Sequence, residues 1–419
     1  MKRSISSTLA ALTFASAAAA SDPAAKAINQ LGLDLHKRLA EANEAGNLCL
    51  SPYSIQCAML MTYEGASGAT AEEMAKVLHY PQEGRDFPGG ALIKLTGDLE
   101  AIAKKSEQHA EMVKSNGYKE DPIAFCLANR LFGQEGYPFS KPYLEKLDQV
   151  YHAPLEPMNF AEPAIAAKHI NDWVEQQTKE RIKDLVSEKA INASTRLLLA
   201  NAVYMKASWA NPFSKRATIS EPFSVVGADK TDVPTMGLKT KSGYAKRNGY
   251  EAVTIPYAGG ELQFLVLLPD ARKGLAEMEK KLTDADLEAC AKLPVVEVEL
   301  HLPKFRIEAS GISLADEFKA LGMKKAFNEP AGSADFSLIA APKEGNGLEI
   351  SDIIHKTFIS VDEEGTEAAA STMVMIAFGS IEGKKPEPVV MKVDRPFLFA
   401  IQHVSSGACL FLGRITDPR

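Results

Sequence analysis

Cysteine is scarce in this 419-residue chain and occurs in an odd number. Cys49, Cys57, Cys126, Cys290 and Cys409 are widely spaced, which excludes a disulfide framework. Most have apolar neighbours, as in Leu48-Cys49-Leu50, Phe125-Cys126-Leu127 and Ala408-Cys409-Leu410, so they read as buried free thiols. No Pro/Gly/Ser-rich linker and no internal repeat divides the chain, although length alone suggests about two or three domains. Enzyme signatures are missing too: no H-E-x-x-H, no paired C-x-x-C, no P-loop, and eight scattered histidines. Gly65-Ala66-Ser67-Gly68-Ala69 departs from the G-x-S-x-G elbow by one glycine and sits at a helix end, not after a strand. Residues far apart can also assemble a triad, so these absences weigh against an enzyme without excluding one. Neither a metal site nor a cofactor site is read from the chain. Past the N-terminus there is no long charge-free apolar run.

What is present begins with Lys2 and Arg3, then a stretch without charge from Ser4 to Ala20 that ends in Ala18-Ala19-Ala20. A basic start, a short apolar core and small residues predict a secretory signal peptide over residues 1–20, cut after Ala20. The stretch is too short and too rich in Ser and Thr for a membrane anchor, and no cysteine near the cut could carry a lipid. A secreted or periplasmic mature chain, residues 21–419, is expected. Loss of Lys2 and Arg3 takes the net charge from −7 to −9, which disfavours nucleic acid or anionic membrane as partners.

Helices crowd the first half. Residues 24–45 predict a polar-faced helix. Ser51-Pro52 opens another, with Ile55, Ala58, Met59 and Thr62 on one face and Gly65 as its stop. Thr70 to Glu73 predicts a capping box for a third, with Met74, Val77 and Leu78 on its apolar face. Residues 91–115 predict a charged helix. Strands dominate from Ile123 onward. Leu197 to Met205 is apolar except for Asn201 and suits a strand buried on both faces. Leu262 to Leu268 is another, stopped by Pro269, and Val296 to Leu302 alternates strictly. A helix from Ser313 to Leu321 should end at Gly322. Phe397 to Ile401 and Ala408 to Gly413 predict a hairpin. The class is α+β with large, mainly antiparallel sheets.

One segment does not fit a static fold. After an alternating strand from Ile350 to Val361 comes Glu363-Glu364-Gly365-Thr366-Glu367-Ala368-Ala369-Ala370-Ser371-Thr372. As a strand, its face Thr366, Ala368, Ala370, Thr372, Val374, Ile376 carries no charge, and the other face carries only Glu367. Small residues resist entry into a packed sheet little, and Val374 and Ile376 would each gain about 1.5–3 kcal/mol on burial. Yet the segment ends among turn formers and charges, Gly383 to Pro388. An Ala-rich surface loop or short helix is the plainer reading. A loop able to become a central strand is the sharper one.

The segment resembles the hinge of the serpin family of serine protease inhibitors. Met391-Lys392-Val393-Asp394-Arg395-Pro396-Phe397-Leu398-Phe399-Ala400-Ile401 is similar to the family's signature after the reactive loop. Asn47 to Ser54 with Gly65 to Thr70 resembles its early helix motif, and Asn201 to Lys206 with Trp209, Asn211, Pro212 and Phe213 its central-sheet motif. Leu302 to Arg306, Leu321-Gly322-Met323 and Ala334 to Ser337 also fit, in family order. The resemblance implies one serpin domain over 21–419: three mainly antiparallel β-sheets, about nine helices and an exposed reactive loop over about residues 363–390. It implies a suicide inhibitor that is cleaved, inserts its loop as a new strand and holds the target serine protease in a covalent 1:1 complex, as a monomer. The hinge would be Glu363, Glu364, Gly365, Thr366, Glu367, Ala368, Ala369, Ala370 and Ser371. The family's hinge-to-bond spacing puts the cleaved bond at Gly379-Ser380, with Phe378 the runner-up. Phe378 suits a chymotrypsin-like target and Met375 to Gly379 an elastase-like one, whereas Lys384 and Lys385 lie too far along for a trypsin-like one. Ser51, Ser54, Asn201 and His355 match the shutter beneath the opening sheet, and Trp209 and Thr218 the breach where the hinge enters. The helix that binds heparin in some members corresponds to Ala91 to Tyr118, whose mixed charges read as a solvated face. A non-inhibitory carrier and an inhibitor of cysteine proteases remain alternatives. The Ala-rich leader and the missing disulfides suggest a bacterial exported protein.

Overall fold

The structure is a computed structural model that describes residues 22–81, 87–116, 121–227, 230–308, 311–341, 347–367 and 387–419. The expected signal peptide therefore lies outside the described residues. So do Ala368, Ala369, Ala370, Ser371, Phe378, Gly379 and Ser380.

The first helix, Pro23–Ala42, starts where the Asp22 side chain accepts from the Ala24 and Ala25 N–H groups. The second, Pro52–Tyr63, is capped as the sequence predicts, with the Ser54 N–H donating to Ser51 Oγ at 3.2 Å. The predicted capping box at Thr70 and Glu73 does not form. The third helix runs Gly68–Val77, because Gly68 takes a φ of 49° and turns the chain into the helix earlier. Thr70 Oγ1 instead reaches the Ser333 carbonyl and accepts from the Asp335 N–H, while Glu73 accepts from the Lys324 and Lys325 N–H groups. Tertiary partners outcompete the local cap. A long helix spans Phe87–Ser115, and Gly322 ends Ala315–Leu321 with a φ of 113°.

The described residues hold nine α-helices and two sheets by hydrogen bonding. The resemblance implies three sheets. Two of these run together because the 18-residue strand Lys230–Arg247 serves both, pairing Ile219–Ser224 at one end, Val295–Pro303 along its middle and Tyr250–Pro256 at the other end. The resulting nine-stranded sheet includes the predicted hairpin, Phe397–His403 with Cys409–Ile415.

The second, main sheet has seven strands. Across it lie Phe305–Glu308, Ile353–Val361, Gly365–Thr366, Leu197–Ser208, Ala124–Gln134 and Glu156–Met158, with Ile312–Ser313 also pairing Ile353–Val361. Leu197–Ser208 is covered on both faces, as its apolar run predicts. Leu199, Val203, Met205 and Ala207 face a large core drawn from Ala25 to Ile415. Leu198, Ala200, Ala202 and Tyr204 face a second core under the helix Pro163–Gln177 and the segment after it, including Ile182, Leu185 and Val186. All five cysteines are free, and burial raises their thiol pKa values: Cys49, Cys57, Cys290 and Cys409 are pushed up to about 12.

Candidate functional site

The site is a seam in the main sheet and the short strand wedged into its top. Ile353–Val361 and Leu197–Ser208 pair directly and in parallel from Ile353↔Leu199 to Phe358↔Tyr204. Above that point they part, and Gly365–Thr366 lies between them, antiparallel to both: Val361↔Thr366 on one side, Gly365↔Ser208 and Thr366↔Ala207 on the other. Two residues of the expected hinge thus form a short strand between the two.

Steric fit explains the glycine. A Cβ on Gly365 would stand 2.1 Å from the Ala207 carbonyl oxygen, closer than any side chain can come. Thr366 is 1% exposed, and its hydroxyl meets that of Tyr257 at 2.5 Å. The Tyr257 ring stacks on Trp209 with centroids 4.7 Å apart. Trp209 holds the turn before the hinge, donating from Nε1 to the Asp362 carbonyl and from its N–H to the Glu364 carbonyl, each at 2.9 Å. Phe213 donates to the Glu363 carbonyl at 2.8 Å.

Each hinge acid has a partner. Glu363 accepts from Thr218 Oγ1 at 2.7 Å and Lys304 Nζ at 2.8 Å. Burial works against this carboxylate, but those hydrogen bonds outweigh it and hold its pKa below the usual range. Glu364 pairs with Lys215 at 2.6 Å. Glu367 pairs with Arg181. Asp362 accepts from the Glu364 and Gly365 N–H groups, and burial raises its pKa despite them.

Below the hinge a polar cluster spans the seam. His355 and Asn201 are register partners on the two parallel strands, with His355 Nδ1 and Asn201 Oδ1 2.5 Å apart. The Ser51 N–H donates to His355 Nε2 at 3.0 Å. Because Nε2 accepts, the ring proton belongs on Nδ1 and the imidazole is neutral. Complete burial drives its pKa down to about 3. Asn201 Nδ2 donates to the Ser54 carbonyl at 2.9 Å and to Ser54 Oγ at 2.6 Å, and also to Asn129 Oδ1. Ser51 Oγ donates to the Leu410 carbonyl at 2.6 Å.

The structure therefore brings Ser51, Ser54, Asn201 and His355 into one cluster, and Trp209, Thr218 and the described hinge residues into another. Sequence reasoning missed Tyr257, Lys215, Arg181 and Asn129. Only Asn129 carried a signal: an amide in the middle of an apolar strand, like Asn201. Among the described residues no group of three or more His, Cys, Asp or Glu is placed to hold a metal ion, and no helix is long and apolar enough to cross a membrane.

Comparison with known proteins agrees over nearly the whole chain. The family profile described as "Serpin (serine protease inhibitor)" matches residues 26–418. An uncharacterized serpin-like protein of Thermococcus kodakarensis is 37% identical over 399 residues, 95% of this chain and 86% of the relative. Human leukocyte elastase inhibitor is 34% identical over 399 residues, 93% of this chain and 98% of that protein. Among solved structures, Serpin48 of the insect Tenebrio molitor superposes with a TM-score of 0.76 at 29% identity, covering 94% of this chain and 98% of its own.

Proposed function

Because this chain belongs to the serpin family, we propose that it inhibits serine proteases as a suicide substrate, trapping the acyl-enzyme by drawing its cleaved loop into the main sheet. One observation carries the reading: Gly365–Thr366 already lies as a strand at the mouth of a seam that closes only one pair of strands below it. Extending that strand downward replaces one parallel ladder with two antiparallel ones, and antiparallel pairing is slightly the more stable. About a dozen entering residues would gain backbone hydrogen bonds on both sides, at roughly 0.5–1.5 kcal/mol net each. The intact form then persists because of a barrier, not because it is lowest in free energy.

The hinge chemistry favours an active inhibitor over a carrier. Thr366 is uncharged and small enough to be buried, and Ala368 to Ser371 are all small. The cleaved bond is read as Gly379-Ser380, with Phe378 the next choice, which suits elastase-like or chymotrypsin-like targets. The protein is read as an exported monomer that forms a covalent 1:1 complex with its target and needs no cofactor.

Mixing the protein with an elastase-like and a chymotrypsin-like serine protease should give a complex that survives SDS, and mass spectrometry of the released fragment should place the cut. Loop turnover with no stable complex would refute the inhibitor reading and leave a non-inhibitory binding protein. A stable complex with a papain-like enzyme alone would move the target to cysteine proteases.

A further inference from the structure

Glu367 is the last described hinge residue and sits differently from the others. Its φ is 48°, yet its N–H donates to the Ser360 carbonyl at 2.8 Å, one step along the ladder from Val361↔Thr366. The register places it in a row across the sheet with Arg306 and Ser360 on one side and Lys206 on the other. Its side chain lies on the face of Tyr204, away from Tyr257, and is 13% exposed. There its Oε1 pairs with Arg181, while Oε2 is buried without a hydrogen-bond partner among the described residues. Burial raises this carboxyl's pKa, with Arg181, the Tyr204 hydroxyl, Lys206 and Arg306 opposing. Of the opposing groups the Arg181 guanidinium acts most strongly.

Arg181 is held by a built turn. After the helix Pro163–Gln177 the chain passes through left-handed Lys179 and Glu180, and the Arg181 N–H donates to the Thr178 carbonyl. The next residue, Ile182, is fully buried and donates to Thr178 Oγ1 at 3.1 Å. Lys356 Nζ donates to the Lys183 carbonyl at 2.7 Å, tying this strap to the strand Ile353–Val361. The strap thus crosses the face on which Glu367, Ala369 and Ser371 would line up as the strand extends.

We propose that Arg181 is a positioning residue for loop insertion: by pairing with Glu367 it keeps the first hinge residues in ladder register, so that insertion propagates from a formed end and outruns release of the cleaved loop. The inference rests on the inhibitor reading. Its test uses the full chain with a protease that the parent traps, and the variants Arg181→Gln, Glu367→Gln and their double. Each single change should raise the inhibitor consumed per protease trapped by about two- to fivefold, the range open to an ion pair with one exposed partner. The initial rate of attack on the loop should not change. The double variant should be no worse than the worse single, and Arg181→Lys should recover part of the loss. Amide exchange at Gly365 to Glu367 should quicken in both singles. Unchanged consumption and exchange, or additive losses in the double, would overturn the assignment. If the parent trapped no protease, the inhibitor reading would fall by itself. Exchange alone would then judge the clamp, with faster exchange in both singles supporting it and unchanged exchange ending it.

Discussion

At the scale of single residues, two side chains make opposite demands of the seam. Thr366 must enter a site with almost no solvent, where its hydroxyl finds Tyr257. An arginine there would bury an unpaired charge at a cost of several kcal/mol. Thr366→Arg should leave the loop as readily cleaved as before while abolishing the SDS-stable complex; an unchanged yield of complex would contradict insertion. His355 instead bridges the seam to Asn201 as a neutral imidazole. Its folded pKa of about 3 lies below the ordinary 6.5, so on acidification the unfolded chain takes up the proton first. This contribution to stability is complete above about pH 6.5 and declines as pH falls towards 3. Between about pH 7 and about pH 5, His355→Gln should lose about 2 kcal/mol less stability than the parent, measured by denaturant unfolding. Parallel losses in the two proteins would show that His355 does not sense the acid.

At the scale of elements, the short strand Gly365–Thr366 exists because a strand pair diverges and a glycine fits the gap. Gly365→Ala would put a methyl group against the Ala207 backbone, which cannot move without disturbing Leu197–Ser208. The expected outcome is a hinge expelled from the sheet: amide exchange at Gly365 and Thr366 should approach that of an exposed segment, and trapping should weaken. Protection equal to the parent's would mean that the strand tolerates the Cβ. The strap carrying Arg181 belongs to this scale as well, since its turn and its tie through Lys356 fix where a cation meets Glu367.

For the whole molecule, the proposed mechanism predicts an inverted order of stabilities before and after cleavage. On the proposed mechanism the cut chain, freed at its loop, would gain ladder bonds and apolar burial that the intact chain lacks. Thermal unfolding after proteolytic nicking within residues 368–386 should therefore occur on the order of ten degrees higher than before. A nicked protein that melts at or below the intact one would remove the energetic basis of the mechanism. On that mechanism the barrier would include the His355–Asn201 bond and the parallel ladder around it, which would have to break before a strand could pass.

The amino-acid order by itself determined whatever depends on near neighbours. The both-faces-buried strand shows in the run from Leu197 to Met205, and the helix start in Ser51-Pro52. These are local compositions that one element carries whole. Tertiary structure alone decided the partners: Tyr257 for Thr366 across 109 positions, Arg181 for Glu367, Asn129 for Asn201, and Ser333 and Asp335 for Thr70 in place of the predicted cap. Such pairings depend on strand register and on how a strap crosses a sheet, and neither leaves a periodic trace in the chain. For the same reason the seam, which lies between strands about 150 residues apart in sequence, becomes visible only when the sheet is assembled.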